Sequence, residues 1–263
     1  MKNHAPIGIF DSGVGGTSIW KEIHKHLPRE ATIYLADSAN APYGNKTKEE
    51  ILKLCIKNTE YLIQLGSKII IIACNTATAN AITYLRTHYD IPFIGIEPAI
   101  KPAALKSKTN SIGILATKGT LTSDLFYETS RALTLDVCVT EVVGEGLVPL
   151  IENGEIDSPQ TVALLKKYLK PMLAANIDHL VLGCSHYPYL TKSLQKLLPS
   201  NIQIIDSGEA VAKQTQLVLA SKSLLNISEE IPILKFYTNG KKKTLQFFLK
   251  EYRDLIQISE TAF

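Results

Sequence analysis

IIIIACNTATAN (residues 69–80) opens with four isoleucines and breaks, at Cys74, into a polar run. An unbroken block of β-branched residues, with no polar alternation, is the pattern of a strand covered on both faces, as in parallel sheets. HLVLGCSHYPYL (residues 179–190) follows the same plan, and its Cys184 lies 110 positions after Cys74. Two further pairs keep the order and nearly the spacing. IGIFDSGVGGT from Ile7 matches IGILATKGT from Ile112, and FIGIEPAI from Phe93 matches IQIIDSGEAV from Ile202. Repeated segments in one order at one spacing imply a duplicated α/β unit, with the boundary between Ile100 and Asn110.

Between these anchors, short apolar runs alternate with longer amphipathic ones. Strands are expected over 7–10, 33–36, 69–73, 93–96, 112–116, 137–143, 180–183 and 203–206. Helices are expected over 17–26, 48–65, 77–88, 121–132, 160–175, 189–198 and 210–221, many beginning beside Ser, Thr, Asp or Asn or just after Pro. Strands alternating with helices point to an α/β fold with a mostly parallel sheet. The tail over 234–252 reads as one more strand, a Thr-Asn-Gly turn and a helix.

Composition narrows the function classes. The chain has 263 residues, 45% hydrophobic and 20% charged, with a net charge of +3. At about 150 residues per domain that is one large domain or two small ones. A nucleic-acid binder shows a clustered basic stripe; here the one dense run, Lys241–Lys243, reads as a solvated turn or helix start. No run reaches the roughly 18 apolar residues of a membrane span, and the opening residues carry no signal-peptide pattern. The expectation is a cytoplasmic protein with neither nucleic-acid nor membrane partners. Cys55, Cys74, Cys138 and Cys184 form no CxxC pair, so they read as free thiols, with no disulfide framework and no metal site. Cys55 on a helix and Cys138 inside a strand read as buried, small apolar residues.

Ligands of open parallel sheets bind beyond the carboxyl ends of the strands, and four polar clusters fall there. Asp11-Ser12-Gly13-Val14-Gly15-Gly16 offers a tight turn and helix-terminal amides to an anion. It is neither a dinucleotide fingerprint nor a phosphate-binding P-loop, and a plain strand-to-helix turn is the alternative. Pro42-Tyr43-Gly44 reads as an ordered loop. Cys74-Asn75-Thr76 and Cys184-Ser185-His186 occupy matched positions of the two halves, where a helix N-terminus is expected to lower a thiol pKa below its free value of about 8.5. If the halves face each other, one thiolate can remove a proton from carbon and the other thiol can return one to the opposite face. Such inversion needs no metal or organic cofactor, but it needs electrostatic stabilisation of a carbanion next to a carboxylate.

FDSGVGG (10–16), ADSANAPYG (36–44), ACNTATA (73–79), PLIENGEID (149–157) and LGCSHYP (182–188) together resemble the cofactor-independent aspartate/glutamate racemases, and within them the glutamate racemases. The resemblance implies two pseudo-symmetric flavodoxin-like α/β domains with the active site in the cleft between them. Residues 1–100 with the tail from about 208 to 263 would form one lobe and residues 101–207 the other. It implies interconversion of L- and D-glutamate, supplying D-glutamate for peptidoglycan, in a homodimer without cofactor. Cys74 would take the proton from the D-isomer and Cys184 from the L-isomer, assisted by Asp11, Glu152 and His186. Asp11, Ser12, Tyr43, Gly44, Asn75, Thr76, Ser185 and His186 would bind the substrate. Ser185 departs from the family's usual threonine but keeps a hydroxyl. Few residues precede the first strand, so no dependence on a cell-wall precursor is expected. The competing readings are a racemase of aspartate or another amino acid, a decarboxylase or isomerase on the same scaffold, and a non-catalytic two-lobed protein that closes on an anion.

Overall fold

A computed structural model describes residues 3–133 and 137–263. The first half runs β1 (Ile7–Asp11), α1 (Thr17–His26), β2 (Thr32–Ala36), α2 (Lys48–Gln64), β3 (Ile69–Ile72), α3 (Asn75–His88) and β4 (Phe93–Gly95). After α4 (Ile100–Lys106), the second half runs β5 (Ser111–Ala116), α5 (Lys118–Leu121), α6 (Asp124–Leu133), β6 (Cys138–Val143), α7 (Leu147–Glu152), α8 (Pro159–Ala174), β7 (His179–Gly183), α9 (Thr191–Leu197) and β8 (Gln203–Ile205). The chain ends with α10 (Gly208–Ser221), β9 (Leu234–Thr238), α11 (Lys242–Phe248) and β10 (Ile256–Glu260).

Two sheets result, ordered β10-β9-β2-β1-β3-β4 and β6-β5-β7-β8. All their pairings are parallel. Numbered within each half, both carry the order 2-1-3-4 of flavodoxin-like sheets, whose ligands gather where the chain switches direction between strands 1 and 3. Register sets what emerges there. Phe10 pairs with Ile72, so Asp11 and Ala73-Cys74 leave the first sheet side by side. Ala116 pairs with Gly183, so Thr117 and Cys184 leave the second in the same way.

The four isoleucines of β3 are fully buried. Ile69 and Ile71 pack with Ile7, Ile9 and Trp20, while Ile70 and Ile72 face Phe10, Leu35, Cys55 and Leu62. Both faces of the strand are therefore covered, which accounts for its unbroken apolar run, and each buried side chain contributes about 2 kcal/mol of transfer free energy.

Several expectations need correction. Cys138 is exposed: it opens β6, an edge strand of the second sheet, so it has no neighbour on one side. The helix expected over 121–132 is α6, starting at Asp124; the short α5 precedes it, and between them the Ser123 hydroxyl accepts the Phe126 amide hydrogen at 3.2 Å. The helix expected over 189–198 begins as a 3-10 turn, Tyr187–Leu190, before α9. The tail holds the expected strand, turn and helix as β9, Asn239-Gly240 and α11, and adds β10. These last strands extend the first sheet beyond β2. Among the described residues no helix is long and apolar enough to cross a membrane.

Candidate active site

Asp11 ends β1 and is completely buried. Its Oδ2 accepts the amide hydrogens of Gly13 (3.1 Å) and Gly16 (3.0 Å), and its Oδ1 accepts the Ser185 hydroxyl (3.0 Å). Burial pushes its carboxyl pKa up from the ordinary value, against the opposing pull of His186 and the Gly16 amide. The Val14 amide donates to Glu152 Oε1 at 2.7 Å. The DSGVGG loop therefore does cradle carboxylates, and these are the protein's own.

Its glycines serve close approach. A Cβ on Gly13 would lie 1.9 Å from Glu152 Oε1, and one on Gly15 would lie 2.2 Å from His186 Nδ1. Only hydrogen side chains let β1's loop meet residues from α7 and from the segment after β7. That segment is docked on the start of α1, where the Ser18 hydroxyl donates to the Ser185 carbonyl at 2.8 Å. The hydroxyls of Thr17 and Tyr189 also hydrogen-bond there.

Each thiol has a different setting. Cys74 caps α3: its sulfur accepts the Ala77 amide hydrogen at 3.4 Å and its thiol donates to Ser12 Oγ at 3.7 Å. The expected lowering at a helix N-terminus is overturned for this residue. Burial and the Asp11 charge push the Cys74 thiol well above its ordinary value, outweighing the Ala77 amide. Cys184 follows β7, and its sulfur lies 3.8 Å from His186 Nδ1. His186 Nε2 sits 2.6 Å from Glu152 Oε1. Burial alone would lower the histidine pKa. The hydrogen bonds to Cys184 and Glu152, with the Glu152 and Asp11 charges, instead raise it well above the ordinary value; the Gly15 amide also approaches Nε2, at 3.3 Å.

Ser12, Cys74, Asn75, Thr76, Cys184, Ser185 and His186 line one cavity between the sheets. Its free space is about 10 Å³, room for roughly one water, so an amino acid enters only if the walls part. Asn75 is buried with neither its amide oxygen nor its amide nitrogen partnered, an arrangement that invites a polar ligand. Tyr43 and Gly44 reach the cavity, but the Tyr43 hydroxyl is turned away, donating to Asp37 and accepting from Asn58 Nδ2 at 3.2 Å. Glu152 is no loose loop residue; it ends α7 and reaches both His186 and the glycine loop.

Sequence reasoning missed Thr117 and Thr120. Their hydroxyls lie 2.8 and 3.3 Å from that of Thr76 and 3.0 Å from each other. The duplication carried the signal, since Thr117 follows β5 as Ser12 follows β1. Val148 on α7 also lines the cavity and was missed.

A family model described as Asp/Glu/hydantoin racemase matches residues 7–215. The chain belongs to that family. A glutamate racemase of Pseudomonas syringae pv. tomato is 45% identical over 222 residues, covering 84% of this chain and 81% of the relative. One from Ectopseudomonas mendocina is 42% identical over 249 residues, 94% of each chain. Among solved structures, a glutamate racemase isoform from Bacillus anthracis superposes with a TM-score of 0.89 at 30% identity, over 99% of this chain and 98% of that one. The Francisella tularensis glutamate racemase in complex with D-glutamate gives 0.84, also at 30% identity and with the same coverage. This racemase-family member thus shares both sequence and two-sheet architecture with them along nearly its whole length.

Burial makes thiol reactivity a readable consequence. A raised pKa leaves Cys74 a neutral thiol at pH 7–8, and its thiolate fraction grows only as pH rises further. Iodoacetamide at pH 8 is therefore expected to label exposed Cys138 at least about tenfold faster than Cys74, as followed by peptide mass spectrometry. Equal rates would show that the cavity is open in solution.

Proposed function

We propose that the protein racemises glutamate by proton transfer at the α-carbon between Cys74 and Cys184, without a cofactor. The carrying observation is that the two thiols line a single cavity from separate sheets. In this reading one sulfur, as thiolate, takes the α-proton and becomes a thiol. The opposite thiol protonates the carbanion on its other face and becomes the thiolate. Each thiol is base in one direction and acid in the other. His186 offers Cys184 a donor through Nδ1, with Glu152 holding its charge. Asp11, buried behind the lining residue Ser185, supplies a negative charge for the substrate ammonium, while Asn75 and the hydroxyls of Thr76 and Thr117 on the cavity wall offer groups to a carboxylate, with Thr120 hydrogen-bonded to both threonines. Residues 1–100 and 208–263 act as one lobe and 101–207 as the other, parting to admit substrate. D-Glutamate supplied this way would serve peptidoglycan synthesis.

The test is incubation of the purified protein with L-glutamate in deuterated water without cofactor. α-Deuterium incorporation together with decay of optical rotation is expected. Exchange with aspartate but not glutamate would move the substrate; silence on both would leave a binding protein.

A further inference from the structure

The loop after β2 joins the cavity to the C-terminal tail. Asp37 is completely buried, and its carboxylate gathers the Tyr43 hydroxyl, the Asn40 amide, the Lys57 ammonium from α2 and the Asn239 amide from the turn after β9. Asn239 also works in the other direction, its Oδ1 accepting the Ala39 amide hydrogen at 2.9 Å. Beside it, Gly240 lies so close that a Cβ there would come within 2.6 Å of Ser38 Cβ. The tail thus seats Ser38 from behind. The Ser38 hydroxyl in turn donates to Glu152 Oε2 at 3.3 Å, while Glu152 Oε1 takes Val14 and His186.

We propose that Ser38 is a positioning residue for the Glu152–His186 pair, and that Asn239 in the C-terminal tail holds Ser38 in that position. Its catalytic consequence rests on the racemase reading. Glu152 ends its helix and is partly open to solvent, so a carboxylate anchored through Oε1 alone can swivel. Ser38 fixes the second oxygen. The charged or titratable groups facing His186 are Asp11 at the end of β1, Glu152 on α7 and Cys184 after β7. Of these, only Glu152 is reached by Ser38. Neither Ser38 nor Asn239 lines the cavity, so their loss acts on turnover and leaves substrate affinity alone.

The sign follows from the pair. Glu152 raises the proton affinity of His186, so a loosened Glu152 moves the His186 midpoint to lower pH. In Ser38→Ala, nitrogen-15 NMR is expected to show the His186 midpoint lowered by about half a pH unit. The kcat should fall about threefold to tenfold in both directions with KM unchanged, and Ser38→Thr should restore both. Asn239→Ala should reproduce the shift, and the double variant should be no worse than the poorer single, because both act through one contact. An unmoved His186 midpoint in Ser38→Ala, or additive losses in the double variant, would overturn the proposal. Ser38→Ala removes one half-buried oxygen and keeps the test sound if Asn239→Ala does not fold. Should the wild-type protein fail to exchange the glutamate α-proton, the functional reading falls, while the His186 titration still decides this inference.

Discussion

Cys74→Ser and Cys184→Ser are each expected to cut kcat for glutamate racemisation by about 10³-fold or more, in both directions. A serine hydroxyl is far less acidic than a thiol, so it serves neither as the base that takes the α-proton nor as the acid that returns one. Because each sulfur holds both roles, losing either stops both directions, whereas a single-base enzyme would tolerate one substitution. General acid–base groups are worth about 10²–10⁴-fold each, and here two lie in sequence on one path. Polarimetry from each enantiomer gives the rates. Cys138→Ser is the matched control: its thiol opens an exposed edge strand, and turnover should stay at wild type. Full activity in Cys74→Ser would end the two-thiol mechanism.

The parts of this site that came through in the sequence are those that lie along strands. Ile69–Ile72 and His179–Gly183 announced buried parallel strands because both faces are packed, and their cysteines follow at once. The matched offsets of the two halves reappear as the same strand order in both sheets. What did not come through depends on neighbours that no local pattern encodes. Cys138 carries the pattern of a strand residue, but whether a strand is central or at an edge is settled by which others pair with it. β10 (IQISE) is short and half-exposed and was not read at all. The helix terminus alone argues for a low Cys74 thiol pKa, but burial, and then the charge of Asp11, 63 positions away in the chain, reverse the balance. The resemblance places Tyr43 among the substrate-binding residues, but no local pattern shows that its hydroxyl is held by buried Asp37.

Gly15→Ala is expected to cost about 10²–10³-fold in kcat with little change in secondary structure. Gly15 does not need a left-handed backbone, so an alanine there carries no conformational strain of its own. The conflict is steric and local. The added Cβ would sit 2.2, 2.5 and 2.6 Å from Nδ1, Cγ and Cε1 of His186. The imidazole has nowhere to retreat, since it is buried and bound on one side to Glu152 and on the other to Cys184. Relief requires either the loop or the ring to move by about 1 Å, and misplacement on that scale costs on the order of 10²-fold in rate. Overpacking also lowers stability by about 1–3 kcal/mol, so kcat is to be measured well below the variant's thermal midpoint. Displacing His186 withdraws the donor from Cys184 and leaves Cys74 untouched, which separates this variant from Cys74→Ser. Circular dichroism should match wild type, and the nitrogen-15 signals of His186 should lose the shift that marks its bond to Glu152. Wild-type kcat in Gly15→Ala would mean that the glycine loop yields freely and that the contact between the sheets does not hold the imidazole in place.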